Sequence, residues 1–162
     1  MKICLIIFDV DGTLAEAYSL RLLPRVKDFF NLVFQAGCSD QPKIAIATNQ
    51  GGVGMRFWME YRHFGQPDKY PTEESIARRL RSLVSAMGGE PDLPVYTSFR
   101  YRNSYGQWAP VPADRVEDPR WSEAWRKPRP GMLIQAMADA GVSPEQTLFV
   151  GDSEDDLAAA HA

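Results

Sequence analysis

The chain has 162 residues, a length that suits one domain of ordinary size and is sufficient to bury a hydrophobic core. Hydrophobic residues make up 44% of the sequence, which excludes an intrinsically disordered chain. The net charge of −3 is too small to indicate a protein built around nucleic acid or an anionic membrane surface.

Cysteine usage and the N-terminal segment restrict the cofactor and the location. The only cysteines, Cys4 and Cys38, form no CxxC motif and no Cys/His cluster, so we expect no zinc and two thiols in a reducing compartment. The apolar segment 3–8 is too short to span a bilayer, and acids follow it where a signal cleavage site would lie. We therefore expect a cytoplasmic protein without a membrane partner.

The first part of the chain predicts two buried strands with a helix between them. Residues 3–8 (ICLIIF) are continuously apolar and rich in β-branched side chains, which is typical of a strand buried on both faces of a parallel sheet. A helix follows, with Pro24 in its first turn and Gly37 as its C-cap. Residues 43–52 (KIAIATNQGG) predict a second buried strand that runs into a glycine-rich loop.

Helices and strands continue to alternate in the second part of the chain. The predicted elements are a helix over 72–89 with Thr72 as its N-cap, a strand over 93–99, a helix over 130–141, a strand over 147–152 and a last helix from 153. This alternation predicts an α/β fold, a doubly wound, Rossmann-like parallel sheet with helices on both faces.

Two segments interrupt this alternation. Residues 53–71 and 100–126 are long, aromatic and basic, with poor periodicity, so we expect them to be long loops near the active site. The sequence otherwise predicts a single domain over 1–162. Because the chain stops part-way through its last helical pattern, truncation of the fold at the C-terminal edge is an open alternative.

Polar side chains follow the predicted strands at the edge where parallel strands end. Asp9 and Asp11 follow the first strand, and Asp152 follows the fourth, with Asp155 and Asp156 close behind it. Thr48, Asn49 and Gln50 lie at the end of the second. Clustered carboxylates need cationic compensation, and oxygen ligands favour a hard divalent ion. The sequence therefore predicts one Mg²⁺ per site together with Lys127, and this combination suits phosphoryl transfer.

Four stretches, in order, carry a resemblance to a known family. DVDGT, TNQGG, RKPRPGM and GDSEDD resemble the four motifs of the haloacid dehalogenase (HAD) superfamily. TNQ and RKPxPGM are similar to subfamily IIIA phosphatases, the group of histidinol-phosphatase, heptose-bisphosphate phosphatase and the 3′-phosphatase of polynucleotide kinase. The resemblance implies a HAD-type hydrolase domain, and no segment of the sequence is large enough for a full cap domain. The resemblance also implies a Mg²⁺-dependent phosphomonoesterase. Its substrate would be a sugar phosphate or another small phosphorylated metabolite, and the reaction would pass through an aspartyl-phosphate on the enzyme.

The resemblance assigns roles to the residues of these motifs. It implies that Asp9 is the nucleophile and that Asp11 is the acid that protonates the leaving oxygen and then activates water. Thr48, with Asn49 beside it, and Lys127 are implied to bind the phosphoryl group.

The implied metal ligands come from two of the motifs. Asp9, the backbone carbonyl of Asp11, and Asp152 match the metal ligands of the family. Asp156 matches the second acid of the fourth motif, and Asp155 is its alternative.

The sequence leaves several hypotheses open for the substrate and the partners. The segment 101–126 lacks the Cys/His zinc loop of many relatives, whereas Arg and aromatic side chains are frequent around it. The residues expected to contact substrate are Arg100, Arg102, Arg126, Arg129 and Trp58. A small phosphorylated substrate is expected, with a nucleic-acid end as the alternative partner, and a monomer is favoured. Two alternative hypotheses assign a function other than phosphatase activity. One is a receiver-like phospho-Asp signalling module, and the other is a catalytically dead module that binds nucleic-acid ends.

Overall fold

A computed structural model describes residues 2–35 and 41–162 of the chain, and its sheet has four parallel strands. The strands are β1 (Leu5–Phe8), β2 (Lys43–Asn49), β3 (Val95–Ser98) and β4 (Thr147–Val150), in the order β3-β2-β1-β4. In register, Leu5 pairs with Lys43 on one side and with Thr147 on the other. The predicted parallel α/β sheet is confirmed. Gly37 and Cys38 lie outside the described residues, and Cys4 is a half-buried free thiol.

Five α-helices connect or follow the strands in the described part of the chain. They are α1 (Val26–Gln35), α2 (Gly52–Arg62), α3 (Glu73–Ala86), α4 (Gly131–Ala140) and α5 (Glu154–His161). Thr72 caps α3 as expected, because its hydroxyl accepts from the Ser75 backbone N–H while the Ser75 hydroxyl accepts in return. Ser153 makes the equivalent reciprocal cap with Asp156 at the start of α5.

The sheet is covered by apolar side chains on both faces. Phe8 of β1 packs in a cluster with Phe30 of α1 and with Leu80 of α3. Its neighbour Ile7 belongs to a second cluster with Met132 of α4. Because successive strand residues point to opposite faces, this division places helices on both sides and explains why β1 is continuously apolar.

One expected loop is partly a helix. Contrary to the expectation for 53–71, residues Gly52–Arg62 form α2, and only a short 3₁₀ turn, Pro67–Lys69, follows before α3. The glycines that weaken the helical pattern lie in the first turn of α2. A Cβ on Gly54 would collide with the Phe99 carbonyl, so this glycine permits α2 to approach the segment after β3. Across 100–126 the structure has 3₁₀ turns but no α-helix or strand, as expected.

The helices of the protein are short. Among residues 2–35 and 41–162, no helix is both long and apolar enough to cross a bilayer.

Replacing Phe30 tests the core beneath the sheet. Phe30 is fully buried and its ring contacts those of Phe8, Phe29 and Phe34. We expect Phe30→Ala to lower the free energy of unfolding by about 3–5 kcal/mol, because it removes aromatic contacts and leaves a cavity. Leu32→Ala, on the same helix but 73% exposed, is the matched control and should change it by less than about 0.5 kcal/mol. Equal effects of the two changes in urea unfolding would contradict this packing.

Candidate active site

The ammonium group of Lys127 lies at the centre of the polar edge of the sheet. Lys127 is 2% exposed, and its Nζ donates to Asp9 Oδ1 at 2.7 Å, to Asp156 Oδ1 at 2.5 Å and to the Ala47 carbonyl at 2.9 Å. These partners come from the end of β1, from α5 and from β2. A buried ammonium is stable only when such partners compensate its charge and fill its donors.

The two carboxylates beside Lys127 differ in their protonation equilibria. Burial raises the pKa of Asp9, and the attraction and hydrogen bond of Lys127 offset this only in part. Burial also acts to raise the pKa of Asp156, but hydrogen bonds from Lys127 and Ser153 outweigh it and hold that pKa below its usual range. Asp156 is therefore the more firmly ionised partner of the lysine.

Three carboxylates lie close enough together to hold one cation. Asp9, Asp152 and Asp156 each offer an oxygen, and these oxygens are all within 4.8 Å of one another. Both oxygens of Asp156 already accept hydrogen bonds, Oδ1 from Lys127 and Oδ2 from the backbone and hydroxyl of Ser153. Asp152, in contrast, is exposed. The donor set fits Mg²⁺, with Asp9 and Asp152 as the better placed ligands and Asp156 as a partner of the lysine.

The carboxylate of Asp11 is held by groups from three different segments. Arg79 of α3 donates to both of its oxygens, at 2.6 Å and 3.3 Å, and Gln50 donates at 2.8 Å. The backbone N–H of Tyr18 adds a bond of 3.0 Å. Burial acts to raise the pKa of Asp11, but these contacts outweigh it and lower the pKa below its ordinary value.

Thr48 and Asn49 have different surroundings. Thr48 is 1% exposed, and its hydroxyl accepts from Gln50 Nε2 at 3.0 Å. The side-chain amide of Asn49 donates to the Lys127 carbonyl at 3.0 Å and accepts from the Lys127 N–H at 3.1 Å. Asn49 therefore fixes the backbone that bears the lysine.

Two of the arginines expected to contact substrate are engaged within their own loop. Arg100 is buried, donates to the Ala109 carbonyl and forms an ion pair of 3.1 Å with Glu123. Arg102 donates to the Gly106 carbonyl at 2.8 Å, and its guanidinium lies over the Trp108 ring. Their contacts hold the 100–126 segment together.

Of the other expected substrate contacts, only Arg126 reaches the second motif. Its guanidinium lies beside Gly51 and donates to the Arg100 carbonyl at 3.0 Å. Burial lowers the pKa of Arg126, against the opposing attraction of Asp155. Arg129 is exposed. The ring of Trp58 packs against Phe64 and Tyr101.

Arg79 was not expected from the sequence. It is one of several arginines in the middle of an amphipathic helix, and 68 residues separate it from Asp11. No local signal distinguishes it from Arg78, which pairs with Glu74 on the exposed face. Gln50 was expected at this edge of the sheet, at the end of the TNQ stretch, but its hydrogen bond to Asp11 was not predicted.

Comparison with known proteins identifies the family. A HAD-hydrolase-like family model matches residues 124–162. A D-glycero-β-D-manno-heptose-1,7-bisphosphate 7-phosphatase of Pseudomonas putida is 32% identical over 168 residues, covering 98% of this chain and 77% of that protein. The chain belongs to the HAD superfamily of phosphatases.

A further curated relative agrees with this assignment, and a solved structure shares the fold. The Pseudomonas aeruginosa heptose-1,7-bisphosphate 7-phosphatase is 34% identical over 119 residues, covering 74% of this chain and 51% of that protein, so the match spans about half of its length. A solved structure from Mesorhizobium loti, described as a HAD-like phosphatase, superposes with a TM-score of 0.65 at 19% identity, covering 98% of this chain and 68% of that one. The structural likeness supports the same fold.

Gly12 offers a test of the carboxylate cluster. Its φ is +86°, and a Cβ there would overlap the carboxylate of Asp152. We expect Gly12→Ala to displace Asp152 and to raise the Mg²⁺ concentration needed for half-maximal activity by about tenfold. The measurement is a Mg²⁺ titration of phosphate release.

Gly106→Ala is the matched control for this test. Gly106 has nearly the same φ, +83°, but a Cβ there would meet only the flexible end of Arg102. Both variants should lose about 1 kcal/mol of stability from backbone strain. If both variants require the same Mg²⁺ concentration, the absence of a side chain at Gly12 does not serve to make room for the Asp152 carboxylate.

Proposed function

We propose that this HAD-family protein is a Mg²⁺-dependent phosphomonoesterase that works through an aspartyl-phosphate on Asp9. The observation that supports this most directly is the arrangement around Asp9. Its carboxylate is hydrogen-bonded to a buried lysine and lies within 4.8 Å of the Asp152 carboxylate. A nucleophile, a cation site and a fixed positive charge at one sheet edge are what transfer of a phosphoryl group requires.

The proposed reaction has two steps. A carboxylate oxygen of Asp9 forms a bond to phosphorus while the bond to the leaving oxygen breaks, and Asp11 gives that oxygen a proton. Water then attacks the phosphorus of the aspartyl-phosphate, Asp11 accepts its proton, and inorganic phosphate leaves Asp9 free. Mg²⁺ held by Asp9 and Asp152 would neutralise part of the phosphoryl charge.

The neighbours of the reacting carboxylates support these roles. Lys127 holds Asp9 in place and offsets the negative charge that accumulates as phosphate approaches. The Arg79 and Gln50 contacts favour the ionised form of Asp11, which is the form that accepts a proton from water in the second step. The first step requires protonated Asp11, and we propose that Asp11 takes up this proton from solvent as the phosphate dianion enters, because the added negative charge raises the pKa of the carboxyl. Thr48 lies at the end of β2 beside this group and is suited to donate to a phosphate oxygen.

We propose a sugar phosphate or another small phosphorylated metabolite as substrate. The relatives named for heptose bisphosphate support a sugar phosphate. A polynucleotide 3′-end gains no support from the arrangement of Arg100 and Arg102, because both guanidinium groups are engaged within the 100–126 segment. The cytoplasmic location and monomeric state stay predictions.

Loss of the nucleophile is the direct test. Asp9→Asn should lower phosphate release from an aryl phosphate by about a thousandfold or more, because no covalent intermediate can form. EDTA should abolish the activity of the unmodified protein, and added Mg²⁺ should restore it. Asp92→Asn, at an exposed site away from the cluster, is the control and should keep full activity. Turnover by Asp9→Asn equal to that of the control would refute the mechanism.

A substrate panel and the lifetime of the phosphoenzyme separate the alternatives. We expect faster release from sugar phosphates than from 3′- or 5′-phosphorylated oligonucleotides. We also expect the phosphoenzyme to decay within the turnover time, because Asp11 can activate water. A long-lived phospho-Asp would favour a receiver-like module, and binding of phosphorylated oligonucleotides without turnover would favour an end-binding module.

A further inference from the structure

A large cleft opens beside Asp11, on the side of α2 and α3. Its volume is about 790 Å³, within the range of small-molecule sites. Its walls include Gly52 at the start of α2, the 68–72 segment, Arg79 of α3, and the side chains of Tyr18 and Tyr101. The motif resemblance assigns no role to most of these residues.

Two residues that line the cleft also hold the carboxylate of Asp11. Arg79 lines it and donates to both oxygens of Asp11. Tyr18, another wall residue, donates its backbone N–H to the same carboxylate. Since Asp11 protonates the leaving oxygen in the proposed reaction, whatever is attached to that oxygen would extend into this cleft.

Aromatic rings form the exposed walls of the cleft. Tyr101 is held from behind by Trp58, with ring centroids 6.2 Å apart, and a Cβ on Gly51 would lie 3.5 Å from its ring. Tyr18 is 88% exposed, and Tyr70 also lines the cleft. Within residues 2–35 and 41–162, the hydroxyls of these three tyrosines make no hydrogen bond. They are therefore available to a ligand, and so are the ring faces.

The two guanidinium groups of the cleft are already compensated. Arg56 pairs with Glu60 at 2.9 Å and Asp68 at 3.3 Å, and it also donates to the carbonyls of Pro67 and Tyr70. Arg79 pairs with Asp11. Lys69 is exposed to water on the rim. A second anionic group on the ligand would have to displace partners that these arginines already have.

From this arrangement we infer that the cleft binds the leaving group of the substrate, and that this group is an uncharged, hydroxyl-bearing ring. Tyrosine rings pack against the C–H face of such a ring, and their hydroxyls bond to its hydroxyls. Tyr101 and Tyr18 are the specificity-determining residues. The inference rests on the proposed function for the direction of the leaving group, but it can be tested by binding alone.

The experiment measures binding of a hexose 6-phosphate and of methyl phosphate by calorimetry, in the presence of Mg²⁺, on the Asp9→Asn background so that no turnover occurs. We expect the hexose phosphate to bind about tenfold more tightly than methyl phosphate. Tyr101→Ala should remove most of this preference, and Tyr18→Ala part of it. A hexose 1,6-bisphosphate should bind no more tightly than the monophosphate.

The matched control is Tyr105→Ala, in the same loop as Tyr101 but 94% exposed and outside the cleft. It should retain the full preference. Equal affinity of hexose phosphate and methyl phosphate, or a preference that survives both Tyr101→Ala and Tyr18→Ala, overturns the cleft assignment. If the hexose 1,6-bisphosphate binds about tenfold more tightly than the hexose 6-phosphate, the inference that the leaving group is uncharged is overturned. Because binding is measured, a failure of hydrolysis in the unmodified protein would be recorded separately and would not decide these outcomes.

Discussion

The pairing of one buried ammonium with two carboxylates is the constraint on which the site depends. Lys127 is almost completely enclosed, and Asp9 and Asp156 supply the negative charge that makes this enclosure tolerable. The three residues belong to segments far apart in the sequence, so the lysine is compensated only when β1, α5 and the segment before α4 have all assembled. The charge cluster therefore exists only in the folded protein.

The charge balance of the cluster also supports the proposal that it binds a cation. Three carboxylates, those of Asp9, Asp152 and Asp156, surround a single lysine, which leaves an excess of negative charge before any phosphate arrives. A phosphate dianion entering this group would meet repulsion rather than attraction. In the proposed mechanism, a bound divalent ion would bring the sum of these formal charges to zero and so remove the net repulsion. Asp11 stays outside this balance because Arg79 compensates it separately.

The sequence predicted the elements that have strong local signals and missed the contacts that have none. The parallel sheet, the cap at Thr72 and the convergence of Asp9, Asp152 and Lys127 followed from apolar runs, capping chemistry and strand ends. Helix α2 was hidden because its glycines serve close packing against a distant carbonyl rather than a turn. The contact of Arg79 with Asp11 was hidden because an arginine on an amphipathic helix reveals nothing of its partner across the fold.

The reciprocal hydrogen bonds between the Asn49 side chain and the backbone of Lys127 hold the second and third motifs in a fixed relative position. The long segment 100–126 leaves the sheet after β3 and leads to Lys127, whose backbone is held by Asn49 at the end of β2. Its internal contacts, such as that of Arg100 with Glu123, close it upon itself. Trp121 is the buried side chain through which this segment joins the core, so changes elsewhere in it would leave the bond between Lys127 and Asp9 in place.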